Sequence, residues 1–147
     1  MGLARKLAMF DRLGGTEARA VAEAYWTEPN AATWADYNRV CKRHYNTMPQ
    51  SEEAGARILF NTDVLFASAR GEQRTMNLLP GLARAQCPVL VMAGDADPVT
   101  PIEDAMEIVA ALPPQWVRFA RFAHVGHGAW RDDAEAAFSV LRRFIGG

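Results

Sequence analysis

Apolar side chains recur every three to four positions through the first half of the chain, then fill one unbroken run in the second half. Leu3, Leu7, Phe10 and Leu13 share a helical face up to Gly14 and Gly15, a C-cap signal, and Thr16 opens a second helix carrying Ala18, Val21, Ala22, Tyr25 and Trp26. Pro29 closes that helix. Asn30 starts a third, which sets Trp34, Tyr37, Cys41, His44 and Tyr45 along one side. Pro49 and Ser51 introduce a further helical stretch to about Gly71. The spacing predicts a first half made of helix.

From Pro88 the period changes. Val89, Leu90, Val91, Met92 and Ala93 read as a parallel strand covered on both faces and hence central. Ile102 to Leu112 reads as a crossover helix, and Trp116 to Phe122 as a second strand whose Arg118 and Arg121 mark it as an edge. Asp132 and Asp133 start a last helix with an apolar stripe of Ala134, Ala137, Phe138, Leu141, Phe144 and Ile145, and Arg142 with Arg143 suit its C-terminal dipole end. The fold class is α/β: a helical region over 1–78, then β-α-β-α over 79–147 with two parallel strands. Two strands make a poor sheet, because three or more with covered faces are usually needed for stability. A missing structural partner, or self-association through exposed apolar surface, is the expectation.

Composition narrows the partners. At 147 residues, 50% apolar and 22% charged, the chain has the make-up of one globular domain. Sixteen basic residues against seventeen acidic give a net charge of -1, so no field steers it toward nucleic acid or an anionic membrane surface. No apolar run approaches the ~18 residues of a membrane span, and no leader-like apolar region follows Arg5 and Lys6, so a cytoplasmic location is expected. Cys41 and Cys87 lack metal-ligand spacing and are either a disulfide or small apolar side chains. No metal and no organic cofactor is implied.

The chemistry concentrates after the apolar strand. Gly94-Asp95-Ala96-Asp97-Pro98-Val99-Thr100-Pro101 follows it directly, and Gly126-His127-Gly128 comes after the second strand. A carboxylate and a histidine placed there emerge at the same edge of a parallel sheet, where open α/β sheets build their sites. An imidazole acting as general base needs a carboxylate on its second nitrogen to fix its tautomer, and Asp97 and His127 would fill those roles. Asp95 is a rival acid and His124 a rival base that lacks flanking glycines; His44 reads as a packed side chain. Taken singly, Asp97 could cap a turn and His127 lie in a surface loop. A nucleophile is missing: no G-x-S-x-G occurs, and none of the serines, Ser51, Ser68 and Ser139, sits between a strand and a helix with flanking glycines.

From about Leu79 to Ile145 the chain resembles the C-terminal part of α/β-hydrolase fold enzymes, carrying the acid strand and loop, the crossover helix, the last strand, the histidine loop and the final helix. In that family the order is nucleophile, acid, histidine. Residues 1–78 resemble the helical cap inserted ahead of the acid strand, and the whole is most similar to proline iminopeptidase-like hydrolases. The resemblance implies that the nucleophile elbow and the oxyanion donors lie in an N-terminal half outside these residues. It also implies that an acidic cap residue receives a substrate amine, and Glu72 in Arg70-Gly71-Glu72-Gln73-Arg74 is the candidate beside the plain alternative of a solvated helix charge. Trp26 and Trp34, with Tyr25 and Tyr37, either wall an apolar acyl or prolyl pocket or form core, and Trp130 is expected to pack on the final helix.

Three functions follow from this reading. The first is a serine hydrolase portion acting on small esters, amides or short peptides, with Asp97 and His127 as its acid and base. The second is a non-catalytic binding or interaction module of the same origin. The third is a relative of dehalogenases and epoxide hydrolases with an aspartate nucleophile, equally absent here. Loss of the nucleophile from a triad costs on the order of 10⁶ in kcat, so the lone chain is expected to be inactive.

Overall fold

In the computed structural model, which describes residues 2–49 and 51–147 apart from the side chains of Ala54 and Glu72, the chain opens on helix α1 (Leu3–Thr27). Its ladder is interrupted at Gly15, with φ 71° and ψ -168°, so the two helices expected from the sequence meet there in a kink. Helix α2 (Ala31–Val40) starts at Asn30, whose side chain accepts from the Ala32 and Thr33 N–H groups while the Thr33 hydroxyl accepts from the Asn30 N–H, a reciprocal capping box. A single 3₁₀ turn, Lys42–His44, follows.

The stretch from Ser51 to Gly71 is not one helix. It divides into α3 (Glu52–Ala56) and α4 (Thr62–Arg70), separated by non-helical residues 57–61. Asn61 caps α4 by accepting from the Val64 N–H, and so begins a helix where periodicity alone had carried one through. A short α5 (Leu79–Leu82) leads into β1 (Val89–Gly94), α6 (Ile102–Ala111), β2 (Val117–Phe122), α7 (Ala129–Asp132) and α8 (Ala134–Ile145).

Strands β1 and β2 pair in parallel, in a register running from Val89 opposite Val117 to Gly94 opposite Phe122. The architecture is mixed α/β. Among the described residues β1 has no second strand neighbour, and Val89 to Met92 are half-buried, so the position is not central as its apolar run predicted. The stripe on α8 is likewise mostly uncovered: Ala137 is buried, whereas Phe138 is 45% and Ile145 75% exposed. Trp130 also stands 56% exposed rather than packed on α8. A strand patterned for cover on both faces and a helix patterned for cover along one stripe are each only partly covered.

Buried apolar side chains form two clusters. One joins α1 and α2 through Leu7, Phe10, Ala18, Ala22, Tyr25, Tyr37, Val40 and Cys41. The other gathers Phe122, Val125, Ala129 and Ala137, with Met92 and Val140 against them. Polar contacts join the two: Arg5 pairs with Asp104 at 2.8 Å and Glu107 at 2.6 Å, Arg12 donates to the Asp95 carbonyl at 3.0 Å, and Lys6 donates to the Val99 carbonyl. The loop that leaves β1 therefore lies at the seam between the clusters. Both cysteines are free, Cys41 buried and Cys87 exposed, and burial pushes the Cys41 thiol up to about 11. No helix among the described residues is long and apolar enough to cross a membrane.

Candidate active site

Asp97 lies three residues beyond β1, in a loop whose Pro98 and Pro101 are fully buried. Its carboxylate closes the turn: Oδ1 accepts from the Val99 N–H at 2.7 Å and the Thr100 N–H at 2.9 Å, and Oδ2 accepts from the Thr100 hydroxyl at 2.7 Å. An aspartate bonded two and three residues ahead is a rigid device, since both lone-pair directions are held by the chain that carries it. The residue is 5% exposed.

His127 meets it from the loop after β2. Nδ1 lies 3.0 Å from Asp97 Oδ2, and a carboxylate that only accepts requires Nδ1 to carry the proton and donate. Nε2, the other ring nitrogen, has no hydrogen-bond partner among the described residues. The side chain is 42% exposed, so the open nitrogen sits on a ring that solvent reaches. Burial alone pushes the Asp97 carboxyl up, but hydrogen bonds from His127 and from the Thr100 side chain and backbone outweigh it and hold the group below the ordinary aspartate range. Asp97 thus presents a buried, ionised carboxylate to one ring nitrogen of a solvent-accessible imidazole.

The first half of the chain holds the histidine loop in place. The His127 N–H donates to the Tyr45 carbonyl, Asn46 Nδ2 donates to the His127 carbonyl at 2.9 Å, and the Tyr45 ring stands edge-on to the imidazole with centroids 5.5 Å apart. Gly126 is required for this approach: a Cβ there would lie 2.1 Å from the Tyr45 carbonyl oxygen. Asp132 locks the arrangement, accepting from the Gly126 N–H at 2.7 Å and from the Thr47 and Met48 N–H groups at 3.0 Å each. Asp132→Ala is expected to cost about 1–2 kcal/mol, because three donors lose one shared acceptor, and to broaden the His127 resonances. Urea unfolding with a histidine-labelled NMR spectrum checks this, and an unchanged midpoint would remove Asp132 from the account.

The rival residues have other tasks. Asp95 Oδ1 accepts from the His124 backbone N–H at 2.7 Å, and its Oδ2 lies 3.4 Å from Arg121. His124 sits at φ 59° and serves this contact through its backbone, so these two fasten the strand ends together. From the sequence Thr100 and Asn46 had no role, Tyr45 only a place on a helix face, and Asp132 only the start of the last helix, whose cap is Asp133 instead. Thr100 had a legible signal in the Asp-x-x-Thr spacing, whereas Tyr45 and Asn46 stand some eighty positions from the histidine and had none.

Trp26 and Trp34 pack with Tyr25 and Tyr37 against the α1–α2 core, with Trp34 stacked on Tyr37 at 6.1 Å, and neither lines the two cavities described below. The structure places them with the packing alternative. The Glu72 side chain lies outside the described residues. His44 is half-buried over Gly14. Among the described residues no group of three or more His, Cys, Asp or Glu is placed to hold a metal ion. No family model, curated protein or solved structure matches this chain.

Proposed function

We propose that this chain is the cap (1–78) and C-terminal core (79–147) of an α/β-hydrolase fold, similar to the proline iminopeptidase-like hydrolases, and that it supplies the acid and histidine for hydrolysis of small esters, amides or short peptides. The single observation that carries the reading is the Asp97–His127 contact, with Nδ1 bound to a buried ionised carboxylate and Nε2 open. A serine from outside these 147 residues would attack the carbonyl, and Nε2 would take its proton and return it to the leaving group. Asp97 would hold the ring and stabilise the imidazolium. Oxyanion donors would come with the nucleophile. The free cysteines suit the cytoplasm.

The test is complementation. Mixing this chain with an α/β-hydrolase N-terminal half that carries G-x-S-x-G but lacks its own acid and histidine should yield activity on short acyl esters or a prolyl arylamide. His127→Ala should then reduce kcat by on the order of 10⁶. Restored activity that is indifferent to His127→Ala would overturn the assignment.

A second reading, a non-catalytic interaction module, draws on exposed apolar side chains of the 58–78 region: Leu59 at 95%, Leu78 at 67% and Val64 at 63%. Binding of a partner undiminished by His127→Ala and by Asp97→Asn would favour that reading.

A further inference from the structure

Beside the histidine loop lies an open cavity of about 530 Å³ whose wall includes Lys42, Arg43 and Arg131, with Asn38, Tyr45 and Asn46. It begins one side chain from the candidate base, because Tyr45 stands edge-on to the His127 ring and Asn46 bonds the His127 carbonyl. Three cations share this wall, and no carboxylate is among its described lining residues.

Among the described residues Lys42 and Arg131 form no ion pair, and the Arg43 guanidinium contacts only His44 Nε2, at 3.3 Å. Lys42 instead hangs over aromatic faces, its Nζ 4.9 Å from the Phe60 ring centre and 5.6 Å from that of Tyr45. Burial lowers the Lys42 pKa, and the neighbouring Arg131 charge lowers it further. The Asp132 carboxylate accepts from the backbone N–H groups of Thr47, Met48 and Gly126 and, among the described residues, forms no ion pair with Lys42 or Arg131.

A second cavity, of about 440 Å³, shows the contrast. Its Arg70 and Arg74 are already bonded to the Pro29 and Thr27 carbonyls, and Glu28 stands in the same wall. Those cations close helix ends. The cations beside His127 have no such task.

We propose that this cavity is a subsite for the carboxylate of an organic anion, held by Lys42 and Arg131 with the Asn38 and Asn46 amides at its side. Two cations on one wall with no ion-pair partner among the described residues gain from an anion placed beside both, and aromatic and aliphatic walls suit an organic body better than a bare ion. That the bound anion is the distal end of a substrate cleaved at His127 rests on the hydrolase reading; the binding itself does not. A cationic subsite selects substrates with a free acid and disfavours the free amine expected from the Glu72 assignment.

Calorimetric titration of the purified chain at low salt tests it with three probes: phenylacetate, its neutral isostere phenylacetamide, and inorganic phosphate. Phenylacetate should bind at least about tenfold more tightly than the amide, and Lys42→Met and Arg131→Gln should each weaken it about tenfold. Arg131 is exposed, so that variant keeps the test available if Lys42→Met misfolds. Equal binding of acid and amide would overturn the proposal, as would phenylacetate binding that survives both substitutions in folded protein. Phosphate bound more tightly than phenylacetate, with the same dependence on both cations, would overturn the carboxylate assignment in favour of a phosphoryl ligand. No turnover is measured, so failed complementation would sink the hydrolase reading and leave this result standing.

Discussion

Asp97→Asn is expected to lower the complemented hydrolase activity roughly 10⁴-fold while the chain stays folded. The carboxylate accepts four hydrogen bonds, from the Val99 and Thr100 N–H groups, the Thr100 hydroxyl and His127 Nδ1. An asparagine keeps one oxygen for the two backbone donors and turns an NH₂ toward Nδ1. That amide donates where the carboxylate accepted, so the ring takes the tautomer with the proton on Nε2 and the free base faces the wrong way. The loss should lie in kcat, with KM nearly unchanged, because no substrate contact is removed. A loss below tenfold would mean that Asp97 only closes the turn.

The same substitution makes a pH prediction. The folded-state pKa of Asp97 lies below its unfolded value of about 3.9, so the group contributes stability that is complete above that value and lost as pH falls through the folded pKa. Acid unfolding of the wild-type chain should therefore steepen below about pH 4, and Asp97→Asn should remove part of that slope. Identical acid limbs in the two proteins would contradict the ionised, hydrogen-bonded carboxylate.

Tyr37→Ala is expected to destabilise the chain by about 3–5 kcal/mol, the range for removing a large buried aromatic ring. Tyr37 is 0% exposed and touches Phe10, Tyr25, Trp26, Trp34 and Tyr45, with ring centroids 4.6–6.2 Å away. Its hydroxyl lies 2.9 Å from that of Tyr45, and burial holds both phenols protonated well above their usual range. Tyr45 in turn stands against His127, so the cavity left by Tyr37 should loosen the imidazole as well as the core. Tyr37→Phe, which keeps the ring, should cost only about 1 kcal/mol. Urea unfolding separates the two, and a cost for Tyr37→Ala near that of Tyr37→Phe would show that α1 and α2 are not held by this cluster.

Local signals were read correctly where a few neighbouring residues decide the outcome. The Gly14–Gly15 break, the Asn30 cap, the apolar run of β1 and the span of α6 all appear where the pattern put them, because capping and periodicity act within one or two turns of chain. The long helix expected to Gly71 failed for the same local reason, since the Asn61 cap went unread. Periodicity marks a face as apolar but does not say what covers it. Hence β1 and α8 were expected to be covered and are partly open.

By itself the sequence determined an α/β class, the strand–helix–strand–helix order from β1 onward, and an acid and a histidine carried on the loops after the two strands. The sequence favoured Asp97 over Asp95 and His127 over His124, and the tertiary structure added which groups meet: His127 Nδ1 lies 3.0 Å from Asp97, whereas Asp95 accepts from the His124 backbone N–H. It also brought Tyr45, Asn46 and the Lys42–Arg131 cavity to the histidine. Contacts across some eighty residues leave no trace in spacing, since they depend on how two separately packed clusters meet and not on the local preferences of either.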